Sequence, residues 1–76
     1  MDSIDRKILG ATFDIQQDDP SCNPRASTIA ETLDLDLQIV QDHFVALDGE
    51  YAASSRGSIG LTAVGRILVR KWRGLE

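Results

Sequence analysis

The sequence predicts a mainly helical α+β domain: three helices, a small β-hairpin and a closing helix. Three observations carry this. Apolar residues recur at helical spacing through most of the chain, and capping side chains stand where the helices should begin. One short stretch rich in Gly and Ser breaks the helical pattern with two strand-like runs around a turn.

The stretch "DSIDRKILGATFDIQQ" reads as the first helix, with Asp2 or Ser3 as its cap. Ile4, Ile8, Ala11 and Ile15 fall on one stripe, while Leu9 and Phe13 form a second apolar pair on another side. A helix with two apolar faces must be covered on both. It is therefore expected to be central, or to help form a dimer through Leu9 and Phe13.

"DDPSCNPR" reads as a loop, because its Asn-Pro step turns the chain away from helix. "RAS" is then a brief extended segment. Thr28 stands three residues ahead of Glu31 as a capping box, which predicts a second helix from Ile29 with Ile29, Ala30 and Leu33 inward. "DLD" is the turn: Asp34 suits the left-handed backbone region, and Asp36 caps the next helix, "LQIVQDHFVAL". On a helical wheel Leu37, Val40, Phe44 and Leu47 face inward, whereas Gln38, Gln41, Asp42 and Val45 face outward.

In "GEYAASSRGSIGLT" the pattern predicts strands at Tyr51 to Ala53 and Ser58 to Leu61, with Ser54 to Gly57 at the tip. Thr62 caps a last helix, "AVGRILVRKWR", which Gly74 ends. Ala63, Val64, Ile67, Leu68 and Trp72 share one of its faces, and Arg66, Arg70 and Arg73 the opposite one. Val69 and Trp72 offer a second route to a dimer. Residues 1–74 read as one domain, and Leu75-Glu76 matches the junction that a common tagging vector leaves.

Composition narrows the function. With 76 residues and one cysteine, Cys22, the chain has no internal disulfide, and a cysteine-based zinc site is not expected. No apolar run reaches the roughly 18–20 residues of a membrane span, and "MDSIDRK" lacks a signal-peptide core. A cytoplasmic protein is expected. The net charge of −4 is unevenly spread: −3 over residues 1–20, −5 over 21–50 and +4 over 51–76.

The order of elements, the spacing of Ile29-Ala30, Leu33, Leu35, Val40, Phe44 and Leu47, and the Leu-Thr-x-x-Gly start in "IGLTAVGRILV" resemble the winged helix-turn-helix family of small prokaryotic transcription regulators. The likeness covers nearly the whole chain. It implies a three-helix core, a wing and a C-terminal helix, with double-stranded DNA as partner. It makes Leu37 to Leu47 the recognition helix. Two departures stand out. Only Asp48 and Gly49 separate Leu47 from Glu50, so either the third helix ends sooner or the first wing strand is reduced. His43 also occupies a position where an apolar residue is common.

On that reading Gln38 and Gln41 hydrogen-bond adenine edges, and Asp42 accepts from cytosine N4. Arg56 at the wing tip enters the minor groove, while Ser54, Ser55 and Ser58 reach phosphates. Arg66, Arg70 and Arg73 touch the DNA backbone, a protein partner or a second copy of the chain. Against DNA, residues 34–50 hold Asp34, Asp36, Asp42, Asp48 and Glu50 with no Lys or Arg, a segment that repels phosphate. The alternative is a protein–protein interaction module that keeps the scaffold and presents an acidic third helix to a basic partner. His43 reads as a half-buried structural residue. Asp18, Asp19 and Cys22 are an ill-matched ligand set for one metal. No nucleophile–base constellation or phosphate loop occurs, so neither an enzyme nor a cofactor is expected.

Nine Asp against three Glu, and six Arg against two Lys, also suit an acidic surface adapted to a high-salt interior. Self-repulsion on such a surface is relieved by salt. The melting temperature should therefore climb as KCl is raised from about 0.1 M to about 2 M; a flat or falling curve removes the idea.

Overall fold

The computed structural model describes residues 1–75. They form α1 (Ser3–Asp18), α2 (Ala26–Leu33), α3 (Leu37–Leu47), β1 (Ala52–Ser55), β2 (Ser58–Leu61) and α4 (Ala63–Trp72). The class is α+β, with four helices and one antiparallel hairpin among these residues.

Asp2 caps α1, its carboxylate accepting from the Asp5 N–H at 2.9 Å. Ile8, Leu9 and Thr12 are fully buried, and Ala11 and Phe13 are nearly so. The Thr12 hydroxyl is satisfied by donating to the Ile8 carbonyl at 2.8 Å. α2, α3, α4 and β2 all pack on this one helix. Leu9 and Phe13 are thus not a spare face for a second copy, because the chain covers them itself.

α2 begins at Ala26, three residues before the start its sequence pattern predicts. Its N-cap residue, Arg25, makes no capping hydrogen bond from its side chain. The hairpin sets the start instead. The Ala26 N–H donates to the Gly57 carbonyl and the Ile59 N–H to the Pro24 carbonyl, each at 2.9 Å, and Arg25 bridges to Ser58 as a single antiparallel pair. Two long-range backbone bonds and the burial of Ala26 outweigh a local cap of about 1 kcal/mol.

The turn follows expectation. Asp34 has φ 54° and ψ 49°, in the left-handed region, and the Asp36 carboxylate accepts from the Gln38 N–H at 2.8 Å. Val40, Phe44 and Leu47 are buried, but Leu37 is exposed. Leu35, from the turn, packs against the core, and Leu37 lies along a shallow groove beside α2.

The hairpin pairs Ala52 with Leu61, Ala53 with Gly60, Ser54 with Ile59 and Ser55 with Ser58. Ser54 and Ser55 are therefore strand residues, and the turn shrinks to Arg56-Gly57. Their φ values of 53° and 81° are both positive, as a two-residue type I′ connection requires. Ala52, Ile59 and Leu61 face the core.

α4 is rotated from its expected setting. Gly65 and Val69 are buried and Leu68 and Trp72 half-buried, while Ala63, Val64 and Ile67 face solvent. The cause lies at its start. Thr62 caps the helix by accepting from the Gly65 N–H at 3.1 Å, and its hydroxyl donates to the Glu50 carbonyl at 2.7 Å. This pins the first turn against Tyr51 and directs Gly65 and Val69, one turn apart, inward. Val69 is fully buried, so it offers no dimer contact. Gly74, at φ 70°, ends the helix as expected. The Gly74 N–H bonds the Lys71 carbonyl and the Leu75 N–H the Arg70 carbonyl, a Schellman closure.

Gly65 permits the closest approach in this arrangement, since a Cβ there would lie 1.9 Å from the Tyr51 carbonyl oxygen. Helix propensity alone favours Gly65→Ala by about 1 kcal/mol. The collision should reverse that sign and lower stability by about 2 kcal/mol, read from the urea midpoint at constant slope. Gly10→Ala is the control. Its Cβ meets only the flexible end of Arg73 at 3.1 Å, and it should cost far less.

Candidate functional site

α3 and the hairpin form one edge of the molecule because Asp48 joins them. Asp48 ends α3, its Oδ1 accepts from the Ser54 N–H at 2.8 Å, and its backbone bridges to Ala52. The Gly49 N–H adds a bond to the Ala52 carbonyl at 2.8 Å. The angle between helix and hairpin is thus fixed by hydrogen bonds across a tight corner. α3 keeps its full length despite the short connection, and β1 begins at Ala52.

Along α3, Gln38, Gln41, Asp42 and Val45 are all exposed, as their wheel positions predict. Gln38 Nε2 donates to Asp42 Oδ1 at 3.0 Å, so these two side chains act as one group. Gln41 makes no such bond among the described residues. The N-terminus of α3 is a natural place for a phosphate, but the Asp36 carboxylate already occupies it. Chemically this face offers amides and carboxylates, with no cation of its own.

The cations lie on the hairpin. Arg56 is exposed at the turn, beside exposed Ser55 and half-buried Ser54 and Ser58. The bridge from Ser58 brings the backbone of a second exposed arginine, Arg25, alongside this strand. Sequence reasoning missed Arg25, which stands far from Arg56 along the chain. The signal available was the extended "RAS" segment, which needed a strand to pair with.

The predicted stripe on α4 divides. Arg73 turns to α1, where its guanidinium pairs with both carboxylate oxygens of Asp14, reaches the Gly10 carbonyl at 3.3 Å and lies over the Phe13 ring. The hydrogen bond to Asp14 raises the Arg73 pKa above its ordinary value. Arg66 donates to the Leu61 carbonyl at 3.3 Å, and Arg70 is exposed one turn later. Arg73 thus holds the fold together while Arg66 and Arg70 stay at the surface.

His43 is half-buried and ties α3 to the start of α1. Its Nδ1 lies 2.6 Å from Asp5 Oδ1 and 4.0 Å from Asp2 Oδ1. Asp2, Asp5 and His43 are the one group of metal-capable side chains this close together among the described residues. Each already has work in the fold: Asp2 caps α1, and Asp5 holds His43. Among the described residues no helix is long and apolar enough to cross a membrane.

No protein-family model, no curated protein and no solved structure matches the chain.

Arg56 occupies a backbone conformation that costs an ordinary L-residue about 1 kcal/mol, at a place where Asn-Gly is the favoured pair. Arg56→Asn should therefore stabilise the protein by about 0.5–1 kcal/mol, measured as a rise in melting temperature. An unchanged or lower temperature would show that the Arg56 side chain itself supports the turn.

Proposed function

We propose that this chain is a small winged-helix DNA-binding protein of the transcription-regulator type. In this reading α2, the Asp34 turn and α3 are the helix-turn-helix, β1 and β2 the wing, and the cytoplasm the place of action. The observation that carries it is Arg56, kept at a left-handed turn position where Asn would be relaxed, with Arg25 beside the same strand. A charged residue at a strained backbone position favours function over turn stability.

The wing then provides most of the affinity. Arg56 enters the minor groove, and Arg25 and the serines take phosphates. Gln41 and the Gln38–Asp42 pair face base edges in the major groove. The acids on α3 and its flanks repel phosphate and keep non-specific binding weak. With Arg25 at a phosphate and Arg56 in the minor groove each displacing about one counterion, log K should fall with log salt at a slope of about −2.

A second reading has its own support. Val45 is 77% exposed on α3, with Leu37 and Ile39 also exposed amid the acids. Exposed apolar side chains on a helix that carries Asp36 at its start and Asp42 on its outer face suit a basic protein partner.

One experiment separates the two. A labelled mixed-sequence duplex is titrated at rising salt, by anisotropy and by amide NMR. DNA binding predicts shifts at Arg25, Gln41 and Ser54 to Ser58. Arg56→Asn should weaken the complex about tenfold and reduce the salt slope by about 1. Silence from the folded protein rejects the DNA reading. Asp42→Lys should strengthen DNA binding but weaken a basic protein partner.

A further inference from the structure

The outer faces of α3 and α4 are opposite in charge, and both expose apolar side chains. On α3, Ile39, Val45 and Ala46 are exposed around Asp42, all within about 120° of the helical wheel. On α4, Ala63, Val64 and Ile67 are exposed around Lys71, within about 100° of its wheel. α3 contains no Lys or Arg, and α4 contains no acid. Building on the protein-partner reading of α3, we propose that this partner is a second copy of the chain. The outer face of α3 in one copy packs on the exposed stripe of α4 in the other.

The fold leaves both faces uncovered in a single chain. α3 and α4 each pack on α1, with Val40, Phe44 and Leu47 turned inward on one and Gly65 and Val69 on the other. The rotation of α4 creates its half of the match. By anchoring the first turn to Glu50 and capping Gly65, Thr62 turns Gly65 to the core and leaves Val64 and Ile67 in solvent.

Charge selects which faces meet. Lys71 has no ion pair among the described residues, and Asp42 meets only the neutral Gln38 amide, at 3.0 Å. Packing α3 on α3 sets Asp42 against another carboxylate, and packing α4 on α4 sets cations against cations. The unlike pairing alone brings Asp42 to Lys71 while Val45 and Ile39 close over Val64 and Ile67. Two short helices in contact bury less than about 1,200 Å², the size of a weak and transient interface.

The test is sedimentation velocity of the full chain at low salt, with amide NMR over the same dilution series. Association should appear with a Kd on the order of 0.2 mM and shift amides on both helices. It should weaken about tenfold when KCl is raised to about 0.5 M. Asp42→Lys and Lys71→Glu should each weaken it at least about tenfold while the melting temperature holds. Mixed in equal amounts, these two variants should associate again to within about threefold of the unmodified chain, because each meets its opposite charge on the other. If either reversal melts early, Asp42→Asn and Lys71→Gln replace them and should each weaken association about threefold.

A chain that stays monomeric to about 1 mM overturns the proposal. So does association that survives both reversals, a mixture that fails to associate, or dilution shifts confined to one of the two helices. A synthetic amphipathic peptide of Lys and Leu separates this failure from that of the protein-partner reading. Shifts at Asp42 and Val45 with the peptide, in a chain that never self-associates, keep that reading and reject the second copy. Silence with the peptide as well rejects both.

Discussion

Burial of α1 on more than one side is the constraint on which the structure depends. Ile8 and Leu9 are adjacent in sequence and point roughly 100° apart on a helix, yet both are fully buried. No single partner element can cover both. A chain of this size has little surface to spare for that task, so α2, α3, β2 and α4 are all recruited around the same helix. Leu9 and Phe13 read in isolation as a second interface, and within the fold they are simply the other half of the core.

Polar contacts then fix how the covering elements sit. His43 locks α3 to the start of α1 through Asp5, and Arg73 locks the end of α4 to its middle through Asp14. Arg6 lies over the Trp72 ring at 5.2 Å, adding a cation–π contact at the same junction. Thr62 joins the hairpin to α4, and Asp48 joins it to α3. The hairpin is thereby held at both ends, and its turn projects with Arg56 at the tip. Several of the chain's charges are spent in this way on its own architecture. Net charge by segment is therefore a poor guide to what the surface offers a partner.

The distinction matters most for α3. Its outward face is legible as polar and acidic from the wheel alone, and the fold leaves it so. What the fold adds is position: α3 is joined through Asp48 to a hairpin that carries Arg56 at its turn, with Arg25 paired alongside. Helix and hairpin are complementary in charge.

The sequence by itself determined the features that arise from a few neighbouring residues. The Asp36 and Thr62 caps, a first cap at Asp2 or Ser3, the left-handed Asp34, the Gly74 stop and the inward Val40, Phe44 and Leu47 all follow from local hydrogen bonding and from helical period. Tertiary structure decided whatever rested on competition between local and distant partners. α2 starts at Ala26 because hydrogen bonds from the hairpin outweigh the Thr28–Glu31 box. α4 turns Gly65 and Val69 inward because its first turn is anchored on Tyr51 and Glu50. Arg25 joins Arg56 because β2 pairs with the segment before α2, whereas Arg73 leaves Arg66 and Arg70 because Asp14 lies within its reach. In each case a contact between residues remote in sequence decided the outcome, at α2 against a local cap of about 1 kcal/mol, and no local pattern encodes such a contact.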